Sequence, residues 1–600
     1  MTHLHAIRRR RWLGLGGSLV AVLLVGSAAA AAAPAAGRVD RGATVTYAQS
    51  VGNPPNYILP LTPGNEYGSG NLAYFQPLLW RPLYWLGNGT QPAINPSLSL
   101  GGTPQVSNGG RTITISLKSY RWSDGTPVTS RDVQFFINMA RAGKATWGGY
   151  AKGAFPDNVV KFVADGPRRF SLTFNAAYSL AWLENDELPA ITPMPQQAWD
   201  LTSASGPVGN YDLTAAGASQ VYRFLSKQSQ TLSTYATNPL WKVVDGPFHV
   251  DAYNPGTSYI SFVPNPSYSG PEKPRIGKLV EMPFTSTSAE FDALRSGAVD
   301  YGYLPSADVN QRSYFLAKGD KVAAWPSWGI NYVVINFSNP TMKPLFRQLY
   351  IRQSLQLLVD QPLMIRDILK GYGEVVDGPM PLQPKGPYLS PLEAKNPYPY
   401  NPARAAGLLR QHGWTVVRNG TDTCARPGTS ASECGPGIRA GMPLNFTIDY
   451  PAGTEIYTQG METWKSFASE VGITLNVQAL PLPTIGTLSV PCTHGPSCTW
   501  DMVTWEGWGY GSPYPTGEVT FSPYQTGGYH SAVNDANIIA THRSSNPDAM
   551  FRYENYLALN LPVIWWWNTP SQISVINGHL HGVVQNALGS FNPENWYMTK

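Results

Sequence analysis

The stretch Tyr120–Gly143 reads YRWSDGTPVTSRDVQFFINMARAG and runs a tight polar turn straight into a helix. Asp124-Gly125 is a strong turn pair, because glycine accepts a positive φ and the aspartate can bond its own backbone. Thr129 stands where a helix N-cap belongs, and Asp132 follows three residues on, the spacing of a capping box. Val133, Phe136, Ile137 and Ala140 fall at i, i+3, i+4 and i+7, so one face of that helix is apolar. Just upstream, TITISL alternates and puts Ile113, Ile115 and Leu117 on one face of a strand. The unit is strand, turn, capped helix, and Asp124 reads as a turn former in preference to a catalytic acid.

Similar punctuation recurs along the chain. RFSLTFN alternates as a strand, and SAEFDALRSGAVD predicts an amphipathic helix stopping at Gly297. Ile351, Leu355 and Leu358 share one helical face, after which Asp360 caps a second helix predicted to stop at Gly371. NPARAAGLLRQHGW has Asn401 as cap, Pro402 at the first helical position and Gly413 as terminator. Strands and helices alternate irregularly without a repeat, which predicts an α/β protein with segregated lobes.

The 600 residues exceed what one core serves, and charged residues are only 14% against 12% aromatic. Rings that nearly equal the charges in number suit a protein that grips organic ligands by stacking and apolar contact. Arg8 to Arg11, the run WLGLGGSLVAVLLVG and an alanine tract ending APAAG have the layout of a secretory signal over residues 1–36. Leu13 to Ala33 could instead stay as a membrane anchor. No cysteine follows the leader to carry a lipid, so export to a periplasmic or cell-surface location is expected. Without residues 1–36, Lys and Arg fall from 43 to 39 against 38 acids, a formal charge of +1 that argues for no nucleic-acid partner. Four cysteines, Cys424, Cys434, Cys492 and Cys498, pair sequentially as two local disulfides in an exported chain. A zinc site combining them with His494 is the alternative, although no close pair has two-residue spacing.

Five stretches in order resemble the extracytoplasmic solute-binding proteins of ABC importers, family 5, the oligopeptide, dipeptide and nickel group. They are the opening motif, DGPFHVDAYNPGTSYISFVPNPSYSGPEKPRI, FDALRSGAVDYGYL, RQLYIRQSLQLLVDQPLMI and NPARAAGLLRQHGW. The resemblance implies an α/β, type II periplasmic-binding-protein fold with two main lobes, a hinge and an inserted extra lobe. Mapped here, lobe I comprises 37–83, 188–304 and 556–600, the inserted lobe II 84–187, and lobe III 305–555. It implies a monomer without cofactor that captures a peptide-like or other neutral organic solute between lobes and delivers it to a membrane permease. Whether it serves a transporter or a surface sensor stays open.

By the same resemblance, ligand contacts are expected on the loop SVGNPPNYILP, through Asn53, Asn56 and Tyr57, and on EGWGYGSPYP, through Trp508, Tyr510 and Ser512. Peptide-binding members usually place an aspartate shortly after that Trp to pair with the ligand's ammonium. Here Gly509 to Pro513 contain none, and Glu506 is the nearest acid. Because an unpaired buried ammonium is expensive, a free peptide N-terminus is discounted. Trp328 and Asn331 complete the candidate set as a stacking face and an amide. Trp565-Trp566-Trp567 is expected in a lobe I strand, mainly as core.

Enzymatic signatures are sparse. The chain has no Gly-x-Ser-x-Gly elbow, no phosphate loop and no His-Glu-x-x-His. LENDELP reads as a solvated acidic turn, and no metal site or catalytic residue is assigned. A secreted glycan-active hydrolase with an aromatic-lined cleft is the alternative, and it requires two facing carboxylates.

Overall fold

The turn and helix of the opening motif form as the residues dictate. Gly125 takes φ +87°, and the Asp124 carboxylate accepts from the Thr126 N–H (2.8 Å) and hydroxyl (2.6 Å). Ser130–Gly143 is helical, and the buried Asp132 accepts from the backbone N–H of Thr129 at 2.7 Å and of Gln196 at 3.0 Å. Upstream, Thr112–Ser116 buries Ile113 and Ile115, while Thr112 and Thr114 share hydroxyl hydrogen bonds with Thr173 and Ser171. Asn401 caps Pro402–Gln411 at the Arg404 N–H (2.9 Å), and Gly297 closes Thr287–Ser296 at φ +80°. The helix after Asp360 ends at Asp367, earlier than expected. Lys370 and Gly371 both turn left-handed, and the Gly371 N–H reaches back to the Ile365 carbonyl (2.9 Å).

The structure, a computed structural model, describes residues 38–488, 498–505, 507–517, 521 and 527–600. The expected signal, residues 1–36, Cys492 and Glu506 lie outside the described residues. Val39–Lys600 make one compact unit. Within it, a seven-stranded mixed sheet has the order Lys321–Trp325, Gln572–Ile576, Tyr301–Tyr303, Thr44–Ala48, Lys278–Met282, Tyr259–Pro264, Phe248–Asn254. Thr44–Ala48 runs parallel to both its neighbours, and the remaining pairs are antiparallel. A second, six-stranded sheet joins Thr474–Leu480, Asn445–Pro451, Met502–Val503, Gly329–Ile335, Trp508–Gly509 and Val563–Trp566. An antiparallel four-stranded sheet built from Gln105–Ser107, Thr112–Ser116, Val159–Gly166 and Arg169–Phe174 carries the opening motif's strand. Separate sheets in one chain match the α/β, lobed architecture expected from the sequence.

Sheet membership shows where the chain changes body. Lys321–Trp325 lies inside the range 305–555 expected for lobe III, yet it pairs with Gln572–Ile576 in the seven-stranded sheet. Val563–Trp566, expected to return to lobe I, pairs with Gly329–Ile335 in the six-stranded sheet. The chain therefore enters the second body through 326–328 and leaves it through 567–571. Trp565, Trp566 and Trp567 are core of that second body, with Trp566 packed on Trp464 and Trp567 on Tyr457. The first linkage, 424–434, is a disulfide, and Cys498 is also disulfide-bonded.

Candidate ligand cleft

A cavity of about 550 Å³ opens where segments of both bodies meet, a volume typical of small-molecule sites. One wall comes from the chain that follows strand Thr44–Ala48 and carries Tyr67, Gln76, Trp80, Tyr84 and Trp85. Asn185, Asp186 and Thr192 form a second wall. The loop Tyr510–Thr516, directly after strand Trp508–Gly509 of the six-stranded sheet, forms the facing wall, and Leu588–Phe591 adds the tail. Eight aromatic rings line the cavity, and Asp186 is the one formally charged side chain among its described lining residues.

Each wall is held by hydrogen bonds that come from elsewhere in the chain. The Tyr510 N–H donates to the Trp328 carbonyl (2.8 Å), and its phenol to the Pro379 carbonyl (2.6 Å). The Trp328 indole N–H donates to the Ser512 carbonyl (2.8 Å), so the crossover residue Trp328 grips the loop at two points. The Tyr514 phenol donates to the Thr541 carbonyl (2.8 Å), and its ring meets Tyr388 edge-on at 4.7 Å. On the opposite wall, the Gln76 amide donates to the carbonyls of Tyr57 (2.9 Å) and Leu59 (3.0 Å). Beneath it the buried Arg81 guanidinium lies 4.3 Å from the Trp85 ring centre, bonds the Tyr268 phenol and pairs with Glu594. Burial pushes the phenols of Tyr84, Tyr510 and Tyr514 up, so all three stay neutral donors.

Of the expected contact residues, Tyr510 and Ser512 line this cavity. Asn53, Asn56 and Tyr57 are not among its lining residues. Asn53 accepts from the Gly70 N–H, while Asn71 accepts from the backbone N–H of Asn56 (2.8 Å) and Tyr57 (2.9 Å). Together they fix the segment that presents Tyr67. Asn331 is buried, its amide donating to the Tyr457 phenol (3.2 Å) and the Trp567 carbonyl (3.1 Å). Trp328 is 2% exposed, while Trp508 is 39% exposed on the surface outside the cavity lining. Tyr67, Trp80, Tyr84, Trp85, Trp147, Tyr514 and Phe591 were not expected. They come from stretches whose periodicity marks them only as apolar. LENDELP is also not a solvated turn. Leu183–Glu187 forms a π-helical turn, Glu187 is buried against Asn158 (2.7 Å), and Asp186 reaches the cavity wall.

The family model described as bacterial extracellular solute-binding proteins, family 5 Middle, matches residues 94–529. The chain belongs to this family. Family 5 members are binding proteins, not enzymes. A Brucella ovis protein whose name includes "ABC transporter peptide-binding protein" is 25% identical over 330 residues, 52% of this chain and 51% of the relative. The match thus spans about half the length of that relative. Protein XP55 of Streptomyces lividans is 25% identical over 484 residues, 78% of this chain and 75% of its own. In fold, the chain is similar to the ABC transporter substrate-binding protein CtaP of Listeria monocytogenes, with TM-score 0.68 at 16% identity. That similarity covers 93% of this chain and 100% of the other. Among the described residues, no helix is long and apolar enough to cross a membrane.

Proposed function

We propose that this family 5 protein is the extracytoplasmic, solute-capturing component of an ABC importer. It would close on a peptide-like or other organic solute and hand it to a membrane permease. The observation that carries the reading is the cavity's position. It takes one wall from the body of the seven-stranded sheet and the facing wall from the loop of the six-stranded sheet, and only 326–328 and 567–571 join these two sheets. A ligand touching both walls favours the closed state by its differential contacts, and a docking partner can then distinguish loaded from empty protein. The Brucella relative's name agrees with a peptide-like solute. The lobes of this reading are the sheet-defined bodies, with residues 329–566 as the moving one. Export would leave the protein periplasmic or at the cell surface, held there by an uncleaved leader or by its permease.

The described lining carries one carboxylate and not the facing pair a glycosidase needs, so nothing favours the hydrolase reading. Native mass spectrometry of the exported protein tests the proposal. The expected result is a stoichiometric organic solute whose removal lowers the thermal midpoint, with no turnover of that solute. Glycan turnover without a retained solute would overturn it.

A further inference from the structure

Charge is distributed unevenly along the chain. Residues 105–174 carry ten Lys and Arg against four acids, a formal charge of +6, whereas the rest of the chain after residue 36 carries 29 against 34. The segment holds the four-stranded sheet of Gln105–Ser107, Thr112–Ser116, Arg169–Phe174 and Val159–Gly166. Alternation gives that sheet two unlike faces. Ile113, Ile115, Phe170, Leu172 and Phe174 are buried on the inner one. Thr112, Thr114, Ser171 and Thr173 point outward with Gln105 and Ser107. Paired hydroxyls tie the strands together across this outer face, Thr112 to Thr173 at 3.2 Å and Thr114 to Ser171 at 3.0 Å.

Cations frame the hydroxyl array. Lys161 stands opposite Thr173 and Arg169 opposite Ser116, both exposed. Arg111 lies at one end of the strands, Lys118 and Arg168 at the other. Among the described residues none of these five meets a carboxylate. Arg111 donates to the Asn175 carbonyl, Lys118 to the Pro96 carbonyl, Arg168 to the Ser119 hydroxyl and Arg169 to the Gln105 amide oxygen (3.4 Å). Arg131 and Lys144 of the same segment, in contrast, pair with Asp212 and Asp157. Asp165, the one acid on the four strands, accepts from the Ser171 hydroxyl at 2.5 Å. Guanidinium forks, an ammonium and hydroxyls in one plane are donors suited to phosphate oxygens. A polymer thread calls for a channel, whereas an open sheet surface meets a plane.

We propose that this face docks on an anionic phospholipid bilayer, its cations and hydroxyls meeting the headgroup phosphates. The contact holds the exported protein at the membrane without a lipid on a cysteine. It leaves the cleft free, because of residues 105–174 only Trp147 and Gly149 line the cavity. The surface is separate from the solute site, and its role goes beyond the importer reading.

Flotation of the exported protein tests this, with phosphatidylcholine vesicles that contain or lack about one-third phosphatidylglycerol. At about 0.1 M salt, partitioning onto the anionic vesicles should exceed that onto the neutral ones by at least about tenfold. The preference should vanish near about 1 M salt, where the screening length falls to about 3 Å. Each Lys or Arg beside such a surface contributes about fivefold, so Lys161→Gln, Arg168→Gln and Arg169→Gln together should remove most of the preference. Lys395→Gln, Arg404→Gln and Arg439→Gln make the same change of net charge among exposed cations of the second body, and should leave the preference in place. Equal partitioning onto the two vesicle types overturns the inference, and so does an equal loss in both triple variants. Retention by a soluble glycerol-phosphate polymer but not by the anionic vesicles would make a cell-wall polymer the occupant and overturn the bilayer. If the first triple variant fails to fold, Lys161→Gln alone should lose about fivefold, and no loss counts against this face. Solute binding by the same samples should stay unchanged, so a failure of membrane docking leaves the solute-binding reading intact.

Discussion

The Trp182 indole lies nearly parallel to the His542 imidazole, with ring centres 4.7 Å apart and planes at 22°. Trp182 belongs to the wall segment that carries Asp186, and His542 ends helix Ala532–Arg543 of the facing body. The His542 carbonyl accepts from the Ser179 N–H (2.7 Å), and its Nε2 shares a hydrogen bond with Thr516, a cavity residue, at 2.6 Å. This contact bridges the two bodies beside the cavity, away from 326–328 and 567–571.

Trp182→Ala should therefore loosen closure without unfolding either body. An aromatic pair adds about 0.5–1.5 kcal/mol beyond its burial, so ligand affinity should fall roughly two- to tenfold. Small-angle scattering should show the liganded variant more extended than the liganded parent. Equal radii and equal affinities would contradict the latch.

The same histidine predicts a pH dependence. Burial, then Arg543, lowers its pKa to about 4. A group depressed below its ordinary value near 6.5 contributes stability that is complete above 6.5 and is lost as pH falls towards 4. The thermal midpoint should fall as pH drops from 6.5 towards 4. His542→Gln should flatten that dependence in the same titration.

The Arg81–Glu594 pair ties the cavity's first wall to the C-terminal tail, both side chains being fully buried. Removing one partner strands the other charge, which costs about 3–5 kcal/mol. Glu594→Gln should lower the urea midpoint accordingly and disturb Trp85 fluorescence, because Arg81 packs on that ring. Arg81→Met with Glu594→Leu should recover much of the loss.

Near Tyr510, Glu393 and Glu554 are both buried, and after burial the negative charge of Glu554 is the next cause raising Glu393. Burial raises Glu554 to about 8 and Glu393 well above its ordinary range. Glu554 accepts from the Ser390 N–H (2.6 Å) and Glu393 from the Met380 N–H (2.8 Å). Raised carboxyls contribute stability that is complete below about 4.5 and lost as pH rises through 8. The thermal midpoint should drop between pH 6 and 9, and Glu554→Gln should flatten that drop.

The Cys424–Cys434 disulfide closes a loop of sequence separation 10, and Cys434 is fully buried, its carbonyl receiving the Tyr350 phenol at 2.7 Å. Loop-closure entropy assigns such a link about 3 kcal/mol. Replacing both residues by serine should lower the thermal midpoint by a few degrees and leave ligand affinity unchanged, since neither lines the cavity.

Local chemistry was legible in the residues themselves. The Asp124-Gly125 turn, the Thr129 and Asn401 caps and the Ile113/Ile115 strand face depend on hydrogen bonds and periodicities spanning a few positions, and family membership followed from such units in order. Periodicity says that a side chain is apolar or that a strand has two faces, but not what each face meets. Trp328 and Trp508 read alike in sequence, yet packing buries the first in the crossover and leaves the second on the surface. The same limit hid the crossings at 326–328 and 567–571, because a strand's sheet is chosen by its partner and not by its own pattern. Asp186 and Phe591 share a cavity for that reason alone: long-range strand pairing and the return of the tail bring them together.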